Sequence, residues 1–145
     1  VLKLIKIKKL IENLEISCTY SPSVQTYNLT TRFMTDESKP IQLAGGGCIW
    51  LAADGAIGEI EFIFPKIVQK PNEIRANQYV IGIPAFELTT PKYDNSFIQV
   101  LEEGIIIWLN EQAEIELSIR SEHIEFLISN NQLCGVLIKD VTIIL

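Results

Sequence analysis

The 145-residue chain has a single histidine, His123, and three cysteines, Cys18, Cys48 and Cys134, that stand far apart. No pair of cysteines has metal-ligand spacing, and an odd number leaves no complete disulfide framework. Cys48 beside Ile49 and Trp50, and Cys134 between Leu133 and Gly135, read as small buried apolar residues. Basic residues are scarce too: 12 Lys and Arg against 18 Asp and Glu give a net charge of -6. A negative surface repels phosphate backbones, which weighs against a nucleic-acid partner. The one dense basic run, Lys3, Lys6, Lys8 and Lys9, is diluted by apolar residues and followed by Glu12 and Glu15. Long hydrophobic runs are also missing. Stretches such as IIIWL at 105–109 fall far short of the roughly 20 residues that span a bilayer as a helix, so no transmembrane segment is expected. The first residues lack the continuous apolar core and cleavage site of a secretory signal. A reducing, cytoplasmic setting is the expectation.

Apolar side chains are plentiful. Hydrophobic residues make up 48% and charged residues 21%, which excludes ordinary disorder. A chain of this length buries roughly two-thirds of the surface its unfolded form exposes, so one domain, 1–145, is the default.

The patterning is that of strands. LEISCTY, the turn-forming SPS and TYNLTTRF read as a hairpin, and TDESKP at 35–40 as an exposed connection. In GGGCIWLAADGAIGEIEFIFP, Asp54-Gly55 supplies a turn, after which Ile60, Phe62 and Phe64 alternate with Glu59 and Glu61. Gly45, Gly46 and Gly47 lack the lysine and the helix of a phosphate loop and read as a connection or a close strand crossing. Residues 66–96 carry Pro71, Pro84 and Pro91, with short strands at YVIGI and AFEL and room for a helix near Asn72 to Gln78. A binding surface without a motif would fall there. SFIQV, GIIIWL, AEIELSI, HIEFLI, LCGVLI and VTIIL return to strands, with LNEQ and SNNQ as hairpin turns.

Residues 1–14 stay open. Leu4, Ile7, Ile11 and Leu14 suit one helix face, whereas Leu2 and Leu4 followed by Ile5 and Ile7 suit a strand that switches face. The fold class is mainly β: antiparallel sheets forming a sandwich or a strongly curved roll, with at most one or two short helices. The pattern predicts about 35 to 50% strand and under about 20% helix.

Two echoes run through the chain. GCIWLAADGAIGEIEF is answered by GIIIWLNEQAEIEL, and YSPSVQTYNL by YDNSFIQV, a weak signal of duplication between 14–64 and 93–140. YSPSVQTYNL, with Tyr20 and Tyr27, and LAADGAIGEIE, with Asp54, Gly55, Gly58, Ile60 and Glu61, also resemble an uncharacterised small bacterial β-rich family. That family has a tyrosine-turn-tyrosine hairpin and a strand-aspartate-glycine-strand unit. Ser21 and Ser23 replace the acidic residues usual after its first tyrosine. The resemblance covers mainly 14–64 and implies a β fold, with neither reaction nor cofactor.

Chemistry-bearing residues have plain explanations. Ser121, His123 and a glutamate could be assembled into a triad, but no nucleophile elbow is present, and His123 reads as a strand-border residue. Glu59 with Glu61 and Glu114 with Glu116 have the spacing of a solvated strand face. If the two pairs met across a cleft they could hold a cation or serve a carboxylate-dependent hydrolase. Trp50 and Trp108, flanked by Ile and Leu, are expected in the core with Phe62 and Phe126. Tyr20, Tyr27 and Tyr93 are the candidates for an aromatic ligand or partner surface. The sequence therefore favours a non-enzymatic protein-interaction or small-ligand-binding domain without a cofactor. Several apolar strands exceed what one narrow sheet covers, so a homodimer is expected.

Overall fold

The computed structural model describes residues 1–10, 13–70 and 74–145. In chain order the strands are β1 (Leu2–Lys8), β2 (Ser17–Ser21), β3 (Thr26–Thr30), β4 (Lys39–Leu43), β5 (Gly47–Leu51), β6 (Ile57–Ile63) and β7 (Ile67–Gln69). They continue as β8 (Ala76–Ile81), β9 (Ile83–Leu88), β10 (Phe97–Leu101) and β11 (Gly104–Trp108). The last are β12 (Ile115–Ser121), β13 (Ile124–Ser129), β14 (Gln132–Ile138) and β15 (Thr142–Ile143). Strands take 58% of the described residues, above the range expected from the sequence, and no helix occurs among them.

Two sheets result. The smaller has the order β15-β2-β3-β6-β5-β4. The larger runs β7-β10-β11-β14-β13-β12-β8, with β1 bridging β14 and β9. Both are mixed rather than purely antiparallel, because β7–β10, β8–β12 and β15–β2 pair in parallel. Each of those pairs joins a sheet-edge strand reached by a longer connection than a hairpin turn, the condition for parallel pairing.

Hairpins form where small turns allow them. Gly45 and Gly46, both at positive φ, turn β4 into β5, and Asn130-Asn131, also at positive φ, turn β13 into β14. A Cβ on Gly47 would meet the Phe62 ring at 2.5 Å, so the triple glycine is a turn followed by a close strand approach. LNEQ is not a hairpin turn. β14 and β13 lie between β11 and β12, whereas β5 and β6 pair directly. The echoing segments thus share residue types without sharing a pairing pattern. YSPSVQTYNL likewise spans the β2–β3 hairpin, while YDNSFIQV contributes the single strand β10.

The N-terminal segment is a strand with a face switch. A register shift between Leu4 and Lys6 lets Leu2 and Leu4 pack inward and leaves Ile5 and Ile7 exposed. Ile11 and Glu12 lie outside the described residues. So does Asn72, at the start of the helix expected near 72–78; from Ala76 onward the chain is β8.

The main core lies between the sheets. Leu29, Ile49, Ile60 and Phe62 of the small sheet pack with Ile98, Ile107, Phe126 and Val136 of the large one. A second core, Phe97, Ile106, Trp108, Leu127, Cys134 and Leu137, occupies the opposite face of the large sheet. Val68 from β7 and Ala76 from β8, at its two edges, pack against this same cluster. The large sheet must therefore curl. Flat, it would hold those edges about 29 Å apart, while the chain from Gln69 to Ala76 reaches at most about 25 Å. Ile115 joins this second core and Ile119 the first, so β12, whose alternation puts Ile115, Leu117 and Ile119 on one face, changes cores as the sheet coils.

Candidate functional site

The side chains singled out in the sequence do not meet. Tyr20 and Tyr27 stack, with ring centroids 4.3 Å apart, beside a shallow hollow of about 330 Å³ bordered by Glu102, Glu103, Lys139 and Asp140. Burial, then the neighbouring Tyr20 and Cys18, raise the Tyr27 hydroxyl's pKa, so it stays protonated at neutral pH. Tyr93 is elsewhere and buried. Its hydroxyl accepts from the Leu2 amide at 2.8 Å and donates to the Leu133 carbonyl, fastening the N-terminal strand to β14. The expected three-tyrosine surface is therefore a stacked pair and a separate structural anchor.

The carboxylates are likewise divided between the sheets. Glu59 and Glu61 lie on the outer face of β6, where Glu59 pairs across to Trp50 and Thr30, and Glu61 to Cys48 and Asn28. Burial first, then the charge of Glu61, raises the Glu59 carboxyl's pKa. Glu114 and Glu116 are exposed on the large sheet, where Glu116 accepts the Asn130 amide at 3.3 Å. Among the described residues no group of three His, Cys, Asp or Glu is gathered as a metal site. His123 sits in the β12–β13 turn, where its carbonyl accepts the Lys139 amide.

Trp108 is 1% exposed and donates its indole N–H to Gln99 Oε1 at 2.8 Å. Phe62 and Phe126 are also buried. Trp50 differs: it is half-buried on the outer face of β5 and belongs to neither core, because Ile49 takes the inward position of that strand. All three cysteines are buried thiols. Burial pushes Cys18 up to about 12 and Cys134 to about 11, which suppresses the reactive thiolate.

A wider concavity is one the sequence did not single out. A groove of about 680 Å³ opens where the β4–β5 margin of the small sheet faces β9 and β1 of the large one. Pro40, Ile41, Leu51, Phe86, Leu88 and Ile5 supply its apolar lining, and Glu37, Lys39, Asp54 and Glu87 its polar rim. Ile5 and Leu88 are each about half exposed although large and apolar.

Local sequence explains the opening. Asp54-Gly55 bends the chain between β5 and β6; Asp54 Oδ1 accepts the Ala56 amide, and Gly55 adopts φ +93°. A Cβ on Gly55 would lie 2.4 Å from the Phe86 carbonyl oxygen, so only glycine lets this turn touch β9. The Phe86 amide then donates to the Gly55 carbonyl at 2.8 Å. Lys8 pairs with Asp54 at the same end and, chiefly through its hydrogen bond, holds that carboxyl below its ordinary pKa. These links close one end of the gap between the sheets. Along its side β4 pairs, among the described residues, only with β5, which leaves one of its edges without a strand partner among them. Phe86 and Leu88 fall in the 66–96 region, but Ile5, Pro40, Ile41 and Leu51 come from β1, β4 and β5, which no sequence spacing connects to it.

No protein-family model matches this chain, and no curated protein matches it.

Proposed function

We propose that the chain is a non-enzymatic protein-interaction domain that receives an extended apolar segment of a partner protein in the groove between its sheets. The observation that carries this reading is the groove itself: about 680 Å³ of apolar-lined space beside a strand with one edge unpaired among the described residues. An extended segment laid along β4 would find main-chain hydrogen-bond partners on that edge, and alternate side chains would enter the gap over Ile41, Leu51 and Leu88. Contact with Leu88 and Ile5 would hide apolar surface that otherwise faces water. The net charge of -6 argues against a nucleic-acid partner, and the buried free cysteines fit a cytoplasmic setting.

The same edge offers a homodimer its simplest geometry, β4 against β4 of a second copy about a twofold axis. Binding of an array of extended apolar peptides, read by fluorescence polarisation, tests the wider reading. Leu88→Asp with Ile5→Asp is expected to weaken capture about tenfold or more while leaving the unfolding midpoint nearly unchanged. Equal binding by the folded double variant would remove the groove from consideration. Light scattering across micromolar concentrations tests the homodimer, which a strictly monomeric protein would eliminate.

A further inference from the structure

A second surface lies away from the groove, where the β2–β3 turn, the β4–β5 turn and the end of β6 come together. The Phe64 amide donates to the Gln25 carbonyl at 2.9 Å, and the Ile63 amide to the Gly46 carbonyl at 3.1 Å. Four large apolar side chains stand out from this pole: Val24 is 52% exposed, Ile63 46%, Phe64 63% and Ile67 41%. Phe64 is held at φ 50°, a backbone region disfavoured for an aromatic residue. Its link to Gln25 and the buried Pro65 that follows fix the ring outward.

The chain segments that form the pole hold few charges of their own. Residues 21–26, 43–47 and 62–70 contain no Asp or Glu, and they carry Lys66 and Lys70. Lys66 is exposed beside the apolar tip, and Lys70 is 3.9 Å from Glu111. The nearest acidic residue along β6 is Glu61, on its outer face. In a chain of net charge -6, this is an apolar end with Lys66 exposed beside its tip, Lys70 paired with Glu111, and Asp94 on the segment whose Ser96 carbonyl lies 3.5 Å from the Cβ position of Gly45.

We propose that this pole is a shallow membrane-docking tip, with Phe64, Ile63, Val24 and Ile67 entering the interfacial region of an anionic lipid surface and Lys66 lying among its headgroups. Aromatic and aliphatic side chains beside lysine are the composition that interfacial binding uses. Area argues against a second protein copy as the occupant. Four side chains about half exposed offer on the order of 400 Å², half of the roughly 800 Å² per partner in a standard interface. A lipid surface needs no matching relief and accepts a small tip.

The test is flotation of the full chain with phosphatidylcholine vesicles made with and without phosphatidylglycerol. Binding is expected with the anionic vesicles and is expected to weaken as salt rises. Phe64→Asn suits the left-handed backbone, so it keeps the fold while removing the ring, and vesicle binding is expected to fall about tenfold. Val24→Ser, in an exposed turn, tests the same surface if the first variant is altered in circular dichroism. Lys66→Glu is expected to lower binding to anionic vesicles about threefold or more. Failure of the native protein to float, or unchanged flotation by folded Phe64→Asn and Lys66→Glu, overturns the proposal. A lipid-free dimer that Phe64→Asn dissolves would also overturn it, because the tip would then be a contact between copies. The Leu88→Asp and Ile5→Asp variant should float normally, which separates this surface from the groove.

Discussion

The two sheets treat their faces differently. The small sheet is wet on one side: β6 alternates Ile60 and Phe62 inward with half-buried Glu59 and Glu61 outward. The large sheet is dry on both along its central strands, since β11 places Ile105 and Ile107 in one core and Ile106 and Trp108 in the other. A sheet with one wet face writes its orientation into the sequence as alternation. A curled sheet with two buried faces writes an unbroken apolar run, which does not say which side is which.

The tryptophans make the contrast measurable. Trp108→Ala would leave a cavity in the second core and strip Gln99 Oε1 of its indole partner, an expected loss of about 3 to 5 kcal/mol. Trp50→Ala, on the half-exposed outer face, should lose about 1 kcal/mol. Urea unfolding of both variants compares the sheets directly, and equal losses would break the distinction.

Two glutamates sharpen it. Glu125 lies within the large sheet, 7% exposed, and burial alone would raise its pKa. The Ser118 hydroxyl at 2.8 Å, Lys139 at 3.3 Å and Arg120 more than offset that, so the folded pKa lies below the ordinary glutamate value. A depressed carboxyl pKa stabilises the fold above the unfolded value and loses that contribution as pH falls through the folded one. Glu125→Gln is therefore expected to cost about 1 to 3 kcal/mol at neutral pH and to flatten the acid limb of stability below about pH 4.5. An acid limb identical to that of the native protein would contradict this.

Glu59 has the opposite sign. Its folded pKa is raised, so its ionisation works against the fold above that pKa and the penalty fades as pH falls through it. Solvent screens this exposed face, and Glu59→Gln should be neutral or stabilising by no more than about 0.5 kcal/mol at neutral pH. A clear destabilisation would show that the outer face carries structure beyond solvation.

Much of the strand layout was legible. The Asp54-Gly55 and Asn130-Asn131 turns, the SPS hairpin and the alternation through β6 depend on neighbouring residues, and their positions follow from local chemistry. The all-strand character exceeded expectation because β1 and β8 carry helix-compatible or irregular sequences that become strands by pairing with β9 and β12. The site was not legible. Ile5, Ile41, Leu51 and Leu88 are ordinary apolar residues on four different strands, and nothing in their spacing marks them as walls of one groove.

The sequence by itself determined the class of fold, the acidic balance and the places where the chain turns, because propensity, charge and turn geometry act over a few residues. Only the tertiary structure decided that two similar Trp-Leu segments have different fates, with Trp108 sealed beneath a curled sheet and Trp50 left on a wet face. It also decided that Tyr93 anchors the N-terminus while Tyr20 and Tyr27 stack elsewhere. Those outcomes depend on which strands become neighbours and how the sheet coils. Both are set by burial summed over residues distant in sequence, so no local window contains them.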